Sequence, residues 1–216
     1  MGTDAEKQLA AQAGARLVDD RMRVGLGSGT TVAFLLTELA RRGSAARFVA
    51  TSPRTERSAR DLGLAIEEFD TWDRLDLAID GADQISAAGW LIKGGGGAHT
   101  REKIVANVAD RFVVIVDSSK EVSALHPPVP LELMTFGLAA TLAELGTAKL
   151  RGVEASLDGG VIADLFGEVG DPAALARRLD AHPGVVAHGL FSPDLVDEMI
   201  VGVGTTIRHV TTGGPP

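Results

Sequence analysis

The sequence predicts an α/β fold in which a Rossmann-like domain with a parallel sheet is joined to a smaller ferredoxin-like α+β domain. Short apolar strands alternate with helices from residue 22 to residue 116, and the last strand is a β-branched run of the kind buried on both faces of a parallel sheet. Beyond His126-Pro127-Pro128 the predicted order becomes β-α-β-β-α-β. The predicted domains are residues 1–125 with 204–216, and residues 126–203.

Hydrophobic periodicity predicts each element of the larger domain. Apolar residues at helical spacing, including Leu9, Ala13 and Leu17, indicate an opening helix over residues 4–19. Pro53 stands where a helix favours proline in its first turn. The remaining predicted helices are 31–42, 53–62 and 100–109, and the predicted strands are 22–26, 47–50, 75–79 and 112–116.

The smaller domain follows from the same patterns, with a turn at Leu157-Asp158-Gly159-Gly160 that predicts a hairpin. A strand over residues 206–210 is expected to return to the first domain. The other predicted strands are 130–134, 148–153, 161–165, 185–190 and 199–203, and the predicted helices are 137–145 and 172–180.

Composition narrows the class of protein. The 216 residues are 45% hydrophobic, and 21 basic against 29 acidic residues give a net charge of −8. This charge argues against nucleic acid or an acidic membrane surface as a partner. The sequence has no cysteine and no apolar run near the ~18 residues of a membrane span. We therefore expect a cytoplasmic protein without disulfides.

Polar loops follow the predicted parallel strands, where open α/β sheets bind ligands. The first loop, Gly25-Leu26-Gly27-Ser28-Gly29-Thr30-Thr31, sets glycines and hydroxyls before a helix, where N–H groups favour a phosphate. It lacks the spacing of dinucleotide-binding and Walker loops, so a monophosphate is expected. The alternative is a packing turn with Ser and Thr as helix caps.

The second loop is Asp80-Gly81-Ala82-Asp83. Two carboxylates at a strand end are suited to binding sugar hydroxyls, to acid–base chemistry or to holding a metal. Metal is the weakest of these options, because no His or Cys lies nearby to complete a transition-metal site. The alternative is an ordinary Asx-turn.

The third loop begins at Lys93 and continues through Gly94, Gly95, Gly96 and Gly97. Four glycines contribute little to a core but let backbone N–H groups approach a ligand closely. Glu102 follows on the first turn of a helix. The alternative is a flexible turn, with Lys93 solvated and Glu102 complementing the helix dipole. Lys120 ends the segment Asp117-Ser118-Ser119-Lys120 after another strand, and is a second candidate cation or a surface lysine.

In this order and at these separations, GLGSGTT, DGAD, KGGGGAHTREKI and DSSK resemble ribose-5-phosphate isomerases of the A type. The resemblance implies interconversion of ribose 5-phosphate and ribulose 5-phosphate through an enediolate, by an oligomer (a homodimer or homotetramer) that needs no metal or organic cofactor. It also implies a role for each matching position. Glu102 is the base; Lys93, Gly94, Gly95 and Gly96 bind the reacting oxygens; Asp80, Gly81, Ala82 and Asp83 bind the sugar; and Ser28, Gly29, Thr30 and Thr31 bind the phosphate or neighbouring hydroxyls. Lys120 matches the family's ligand-binding lysine.

The sequence departs from the family pattern in three places. Gln84 stands where DGAD is commonly followed by Glu, Ser-Gly-Thr-Thr replaces Thr-Gly-Ser-Thr, and residues 156–160 replace a segment usually rich in Asp, Asn and Gly. The first two changes keep hydrogen-bonding capacity. The third lies in the smaller domain.

The chemistry of the implied reaction fits the residues. An aldose–ketose isomerase needs a base and a group that stabilises an oxyanion. Glu102 can act as the base, Lys93 and the glycine N–H groups as stabilisers, and Asp80 or Asp83 can assist ring opening.

Two other functions compete with this one. A non-catalytic sugar-phosphate sensor would need no base and would carry a regulator segment, but no basic helix-turn-helix precedes Met22. An amino-sugar phosphate deaminase would be expected to use a catalytic His, and none lies in the DGAD loop. His99, near the Glu102 helix, is expected to be incidental.

Overall fold

A computed structural model describes residues 3–211 of the chain. Thr3, Ser52 and Asp171 each stand immediately before a helix and cap it with a side-chain oxygen. The helices are α1 (Asp4–Ala15), α2 (Thr30–Arg41), α3 (Pro53–Asp61), α4 (His99–Val108), α5 (Leu138–Leu145) and α6 (Pro172–Asp180).

The strands are short. They are β1 (Arg23–Leu26), β2 (Arg47–Ala50), β3 (Ala65–Ile66), β4 (Leu77–Asp80), β5 (Gln84–Ser86), β6 (Leu91–Ile92), β7 (Phe112–Asp117), β8 (Glu121–Val122), β9 (Val129–Leu133), β10 (Ala148–Ala155), β11 (Val161–Leu165), β12 (Val185–His188), β13 (Leu190–Phe191), β14 (Glu198–Val203) and β15 (Thr206–Thr211).

The largest sheet has seven strands in the order β15-β14-β7-β4-β1-β2-β3. Every neighbouring pair is parallel except β14 with β15. The predicted parallel sheet is thus confirmed. All six residues of β7 are buried, because the strand lies in the interior of a sheet that helices cover. Helix α1 packs against α2, β7 and β14.

A second sheet is antiparallel, with four strands in the order β10-β11-β9-β12. Its elements follow one another along the chain as β9, α5, β10, β11, α6 and β12. Helix α6 packs against β12. The core of this part is aliphatic, with Leu131, Leu133, Ala163, Leu165 and Leu179 at most 1% exposed.

A third sheet, in the order β13-β6-β5-β8, was not predicted. Its strands have two or three residues each, too few for alternation to be visible in the sequence. Strand β6 pairs with β13, and Leu91 lies opposite Phe191. The pairing therefore brings a distant segment to the strand that immediately precedes Lys93.

Contacts divide the chain into two compact units. One comprises residues 1–82, 101–120 and 193–216, and the other comprises 83–100 and 121–192. The predicted domains differ from these units at residues 83–100, 121–125 and 193–203. Strand β14 joins the parallel sheet beside β7, and β5 and β6 belong to the third sheet. Residues 1–2 and 212–216 of the predicted first domain lie outside the described residues.

The single strand predicted over residues 185–190 is wrong. Residues 185–188 pair with β9, whereas Leu190 and Phe191 pair with β6 in another sheet. Gly189 stands at the break, where its N–H donates to Pro130 and its carbonyl accepts from the Lys93 N–H. A Cβ on Gly189 would lie 2.2 Å from the Lys93 carbonyl oxygen, so only glycine fits at this position.

Other boundaries move by a few residues. The first helix ends at Ala15 rather than at residue 19, since the N–H groups of residues 16–18 bond three residues back, in tighter turns. Strand β4 ends on Asp80, which places that carboxylate in the sheet itself. Among residues 3–211, no helix is both long and apolar enough to cross a membrane.

Candidate active site

The loop from β1 to α2 ends in an open helix N-terminus. Gly29 is the N-cap of α2, has φ +99° and supplies no side-chain cap. Because glycine has no side chain, Gly29 cannot cap the first N–H groups of the helix with one. Thr30 is exposed and Thr31 is buried. Backbone donors at the start of a helix of this length, with two adjacent hydroxyls, are suited to an anion such as a phosphate.

Asp80 holds this loop from the neighbouring strand. Its side chain is 3% exposed, and Oδ1 accepts hydrogen bonds from the N–H groups of Ser28 (3.0 Å) and Gly81 (2.7 Å). A Cβ on Gly27 would lie 1.8 Å from the carboxyl carbon of Asp80. Glycine at 27 is thus required by the close approach of a carboxylate. The structure brings the first and second predicted loops into direct contact.

Ser28 also reaches the predicted base. Its hydroxyl donates to Oε1 of Glu102 at 2.6 Å, while its N–H is bound to Asp80. Glu102 lies in the first turn of α4 and is 4% exposed. A buried carboxylate that accepts a hydrogen bond from a hydroxyl is held in one orientation. Ser28, Asp80 and Glu102 therefore form one connected polar group.

Lys120 stands at the end of a short 3₁₀ helix, Ser118–Lys120, directly after β7. The turn is fixed by carboxylates. The Ser118 hydroxyl donates to Glu6 (2.9 Å), and the Ser119 N–H donates to Asp117 (3.0 Å). Lys120 is half-buried. Its position after a parallel strand agrees with the predicted location at the sheet's carboxyl edge.

Lys93 lies in the other unit, directly after β6. It is 3% exposed, its N–H donates to the Gly189 carbonyl at 2.9 Å, and its Nζ is 5.4 Å from the centroid of the Phe191 ring. The ring face offers the buried ammonium a cation–π contact. Lys93 is therefore not a solvated surface lysine, which was the alternative prediction.

The glycine run is a defined turn. Gly94 has φ +100° and Gly97 has φ +76°, and the Gly97 N–H donates to the Gly94 carbonyl at 2.9 Å. A Cβ on Gly94 would lie 2.7 Å from Nδ1 of His99, which is fully buried. Both the backbone conformation and the close approach of His99 require glycine at position 94.

Asp83 binds the same run. Its Oδ2 accepts the Gly95 N–H at 2.7 Å, and its own N–H donates to the Ile92 carbonyl at 2.8 Å. The Gly95 N–H, predicted to face reacting oxygens, is thus engaged by Asp83 in this structure. Asp83 itself is exposed.

A sequence profile of ribose 5-phosphate isomerase A (phosphoriboisomerase A) matches residues 47–205. The chain belongs to the ribose 5-phosphate isomerase A family. The curated isomerase of Thermomicrobium roseum is 44% identical, over 96% of this chain and 94% of its own. The solved isomerase of Neisseria gonorrhoeae is 29% identical with a TM-score of 0.91, covering 99% of both chains.

A third relative was solved with a ligand. It is a D-ribose-5-phosphate isomerase in complex with phospho-erythronic acid, 33% identical with a TM-score of 0.90, over 98% of this chain and all of its own. Membership of the ribose 5-phosphate isomerase A family confirms the resemblance inferred from the four motifs.

Gln84, a departure from the family pattern, has a structural partner in this isomerase-family chain. It is 8% exposed; its Nε2 donates to the His126 carbonyl at 2.8 Å, and its Oε1 accepts the His126 N–H at 2.9 Å. The amide thus satisfies both backbone groups of His126. A carboxylate could accept but could not donate here.

Several residues around the isomerase-family motifs were missed by sequence reasoning. Phe191 covers Lys93, and Arg151 donates to the carbonyls of Gly94 and Gly95. Glu132 accepts from Thr100 next to the Glu102 turn. All come from elements far along the chain, and the only signal was an Arg and a Glu in strands otherwise expected to be apolar. Among residues 3–211, no group of three or more His, Cys, Asp and Glu residues is arranged to hold a metal.

Proposed function

We propose that this protein interconverts D-ribose 5-phosphate and D-ribulose 5-phosphate through an enediolate. The observation that carries the proposal is the buried carboxylate of Glu102, held by Ser28 on the loop that opens α2. A base on α4 is thereby fixed to the loop that we expect to bind the phosphate. Family membership names the sugar phosphate, and the 44% identity extends over nearly the whole chain.

The phosphate is bound by the start of α2. The N–H groups at this terminus and the hydroxyls of Thr30 and Thr31 are the donors, and Lys120 supplies a positive charge. These groups are remote from the reacting carbons, so they bind ground state and transition state alike. They determine that the substrate is a phosphorylated sugar and not a free one.

The proton transfer is assigned to Glu102. The carboxylate removes the proton from C2 of the open-chain aldose, and the electron pair forms the C1–C2 double bond of the enediolate as negative charge moves to O1. Glu102 returns the proton to C1, and as the C2 carbonyl forms the O2 proton passes to O1, which becomes the C1 hydroxyl of the ketose. One base thus serves both half-reactions, and no electron donor or acceptor is needed.

The developing oxyanion is assigned to Lys93 and to N–H groups of the glycine run. Lys93 is held against Phe191, where an ammonium is stronger as an electrostatic partner than in water. Asp80 and Asp83 bind sugar hydroxyls and assist opening of the furanose ring. Gly81 and Ala82 bring their backbone groups to the same part of the substrate.

Location, assembly and cofactor use are part of the same proposal. It acts in the cytoplasm as a homodimer or homotetramer, without a metal or organic cofactor. Support comes from the resemblance and from the positive charge that Lys93 provides where a Lewis acid would otherwise be needed. Turnover is expected to survive exhaustive chelation with EDTA. Loss of activity with EDTA that a divalent ion restores would contradict the cofactor-free mechanism.

The test is NMR of ribose 5-phosphate incubated with the protein in D₂O. The expected result is ribulose 5-phosphate that carries some deuterium at C1, since an enediolate mechanism lets the transferred proton exchange with solvent. Free ribose should not be converted. Tight binding of the sugar phosphate without turnover would instead favour the sensor, and turnover that leaves all of the C2 hydrogen at C1 would favour direct hydride transfer over proton transfer through a base.

A further inference from the structure

Arg151 lies on β10, outside all four motifs, and reaches the glycine run. Its Nη1 donates to the carbonyl oxygens of Gly94 and Gly95, at 2.9 Å each. Two successive carbonyls therefore converge on one nitrogen of one guanidinium group. The partners are 57 and 56 residues apart in sequence, so the contact belongs to the tertiary fold and not to the loop.

Asp164 on β11 fixes this arginine. Its Oδ2 accepts from Nε and its Oδ1 from Nη2 of Arg151, each at 2.6 Å. The side chains are 25% and 15% exposed. A bidentate pair leaves the guanidinium little freedom to rotate. Arg151 is thus a rigid donor whose remaining N–H groups point at the loop.

The contact determines where the loop's N–H groups point. In a trans peptide the C=O and the following N–H are antiparallel. Because Arg151 holds the carbonyls of Gly94 and Gly95, the N–H groups of Gly95 and Gly96 are directed away from it. The Gly95 N–H indeed donates to Asp83. The N–H of Gly96 is directed to the same side, away from the guanidinium.

The rest of the β10–β11 hairpin supports the same segment. Glu132 on β9 accepts hydrogen bonds from Ser156, in the hairpin turn, and from Thr100, in the first turn of α4. A Cβ on Gly97 would lie 3.4 Å from Ile162 of β11. The segment from Gly94 to Thr100 therefore rests on the hairpin and its neighbouring strand at several points.

We propose that Arg151, held by Asp164, is a positioning residue that aims the N–H groups of Gly95 and Gly96 at Asp83 and at the reacting oxygens of the sugar. The inference rests on the proposed isomerase function and assigns a role in it to the β10–β11 hairpin. Arg151 does not touch the substrate. Its effect is to keep two peptide planes in the orientation that an oxyanion needs.

The main variant is Arg151→Met, which keeps the length of the side chain and removes every donor. Loss of an oxyanion donor costs about 10²–10³ in kcat, and misaimed donors retain part of their effect, so we expect kcat to fall about 10- to 100-fold with little change in KM. Arg151→Lys keeps the charge but not the fork, and should resemble Arg151→Met. The matched control is Arg177→Met on α6, at an exposed arginine of the same unit.

A binding comparison separates positioning from general structural damage. The carboxylate of phospho-erythronic acid has two oxygens that share a negative charge, as the enediolate does, whereas erythritol 4-phosphate carries a neutral alcohol there. In Arg151→Met the acid should bind about tenfold or more weakly, while the alcohol changes by less than about threefold. The proposal is overturned if the acid and the alcohol are weakened equally, or if neither is weakened. A kcat close to that of the unaltered protein also overturns it.

Asp164→Asn is a second variant for the same binding comparison. If Arg151→Met does not fold, as judged by thermal melting, Asp164→Asn replaces it, since the arginine then loses its bidentate partner; the same selective loss for the acid is expected, and its absence overturns the proposal. Absence of turnover in the unaltered protein would count against the isomerase function alone, because the binding comparison does not depend on turnover.

Discussion

Ser28 connects the two carboxylates that the proposed mechanism needs near the phosphate loop. Its N–H donates to Asp80 and its hydroxyl to Glu102. The sequence predicted Ser28 as a ligand for the phosphate or neighbouring hydroxyls, a role that stays a prediction. The structure adds a contact with the base. The contact with Glu102 is compatible with binding a sugar hydroxyl, which can donate to the Ser28 oxygen while the Ser28 proton goes to Glu102.

Replacing Ser28 with Ala should chiefly lower kcat. A hydrogen bond to a charged group contributes about 1.5–3 kcal/mol, so a base that loses its orientation should slow turnover about tenfold or more. Steady-state kinetics measure the effect, with Ser58→Ala on an exposed face of α3 as the control. An effect on KM alone would mean that Ser28 serves only to bind the phosphate.

Replacing both Thr30 and Thr31 by Val should affect KM rather than kcat. The hydroxyls would hold a remote group equally in ground and transition state, so KM should rise while kcat largely persists. Thr37→Val is the control on the same helix, since the Thr37 hydroxyl donates to the Ala33 carbonyl of its own helix. Unchanged KM, or equal turnover of free ribose, would show that this loop is not a phosphate site.

The motif residues could be predicted from the sequence, but the residues that hold the motifs in place could not. The loops could be predicted because glycines, hydroxyls and carboxylates followed apolar strands in the order of a known family. Arg151 and Phe191 could not, because each acts on the glycine loop from a distant part of the chain. A lone Arg in a strand has many possible partners, and only the tertiary fold selects the carbonyls of Gly94 and Gly95.

At the scale of elements, the β1–α2 turn depends on how closely it approaches β4. Gly27 has no room for a side chain, since a Cβ would lie 1.8 Å from the Asp80 carboxyl carbon. The N–H of Gly27 also donates to the Ile79 carbonyl at 3.0 Å. The turn and the end of β4 therefore form one rigid piece that carries Ser28.

Gly27→Ala should displace Asp80 and loosen this piece. Forcing a methyl group into a filled space typically costs about 1–3 kcal/mol, so both the melting temperature and kcat/KM should fall. Gly152→Ala is the matched control, because a Cβ there meets nothing within 4 Å and its φ is not positive. If both variants melt and turn over alike, the contact between Gly27 and Asp80 is not as close as the structure gives it.

Elements with several periodic residues were predicted well, and very short ones were not. Strand β11 and helix α6 begin and end at the predicted residues. The third sheet was missed because its strands are two or three residues long, and the break at Gly189 was missed because a glycine in an apolar run does not reveal a change of sheet. These are pairings between distant segments, which local periodicity does not encode.

At the scale of the whole molecule, Glu6 ties three distant segments of the larger unit together. Its carboxylate, on α1, accepts from the Gly204 N–H (2.8 Å) and the Ser118 hydroxyl (2.9 Å). The bond from Gly204 contributes most to lowering the pKa of Glu6 below 4.5, and the bond from Ser118 lowers it further. The first helix, the turn before Lys120 and the β14–β15 turn meet at this side chain.

Glu6→Gln should therefore destabilise the protein at neutral pH but less so in acid. A carboxyl group with a lowered pKa in the folded state stabilises that state above the pKa of the unfolded chain, and the contribution is lost as pH falls through the folded value. The melting temperatures of the variant and the unaltered protein should differ at pH 7 and converge below pH 4.5. Glu168→Gln, at an exposed residue, is the control; a difference independent of pH would contradict the role of the charge.

Glu102 is the residue that we propose to move the proton. Gln keeps the size and hydrogen-bonding reach of Glu but cannot accept a proton at neutral pH, so Glu102→Gln should remove turnover and spare binding. Loss of a general base typically costs about 10²–10⁴-fold, whereas a residue that only complements a helix dipole contributes about 0.3–1 kcal/mol of stability.

The most direct measurement is kcat for ribose 5-phosphate beside the dissociation constant for phospho-erythronic acid, in Glu102→Gln and in the Glu168→Gln control, with thermal melting as a check on folding. We expect kcat to fall at least about 100-fold while the acid still binds. A folded Glu102→Gln protein that keeps more than about a tenth of its kcat would contradict the role of Glu102 as the base and move the search for the base to Asp80 or Asp83.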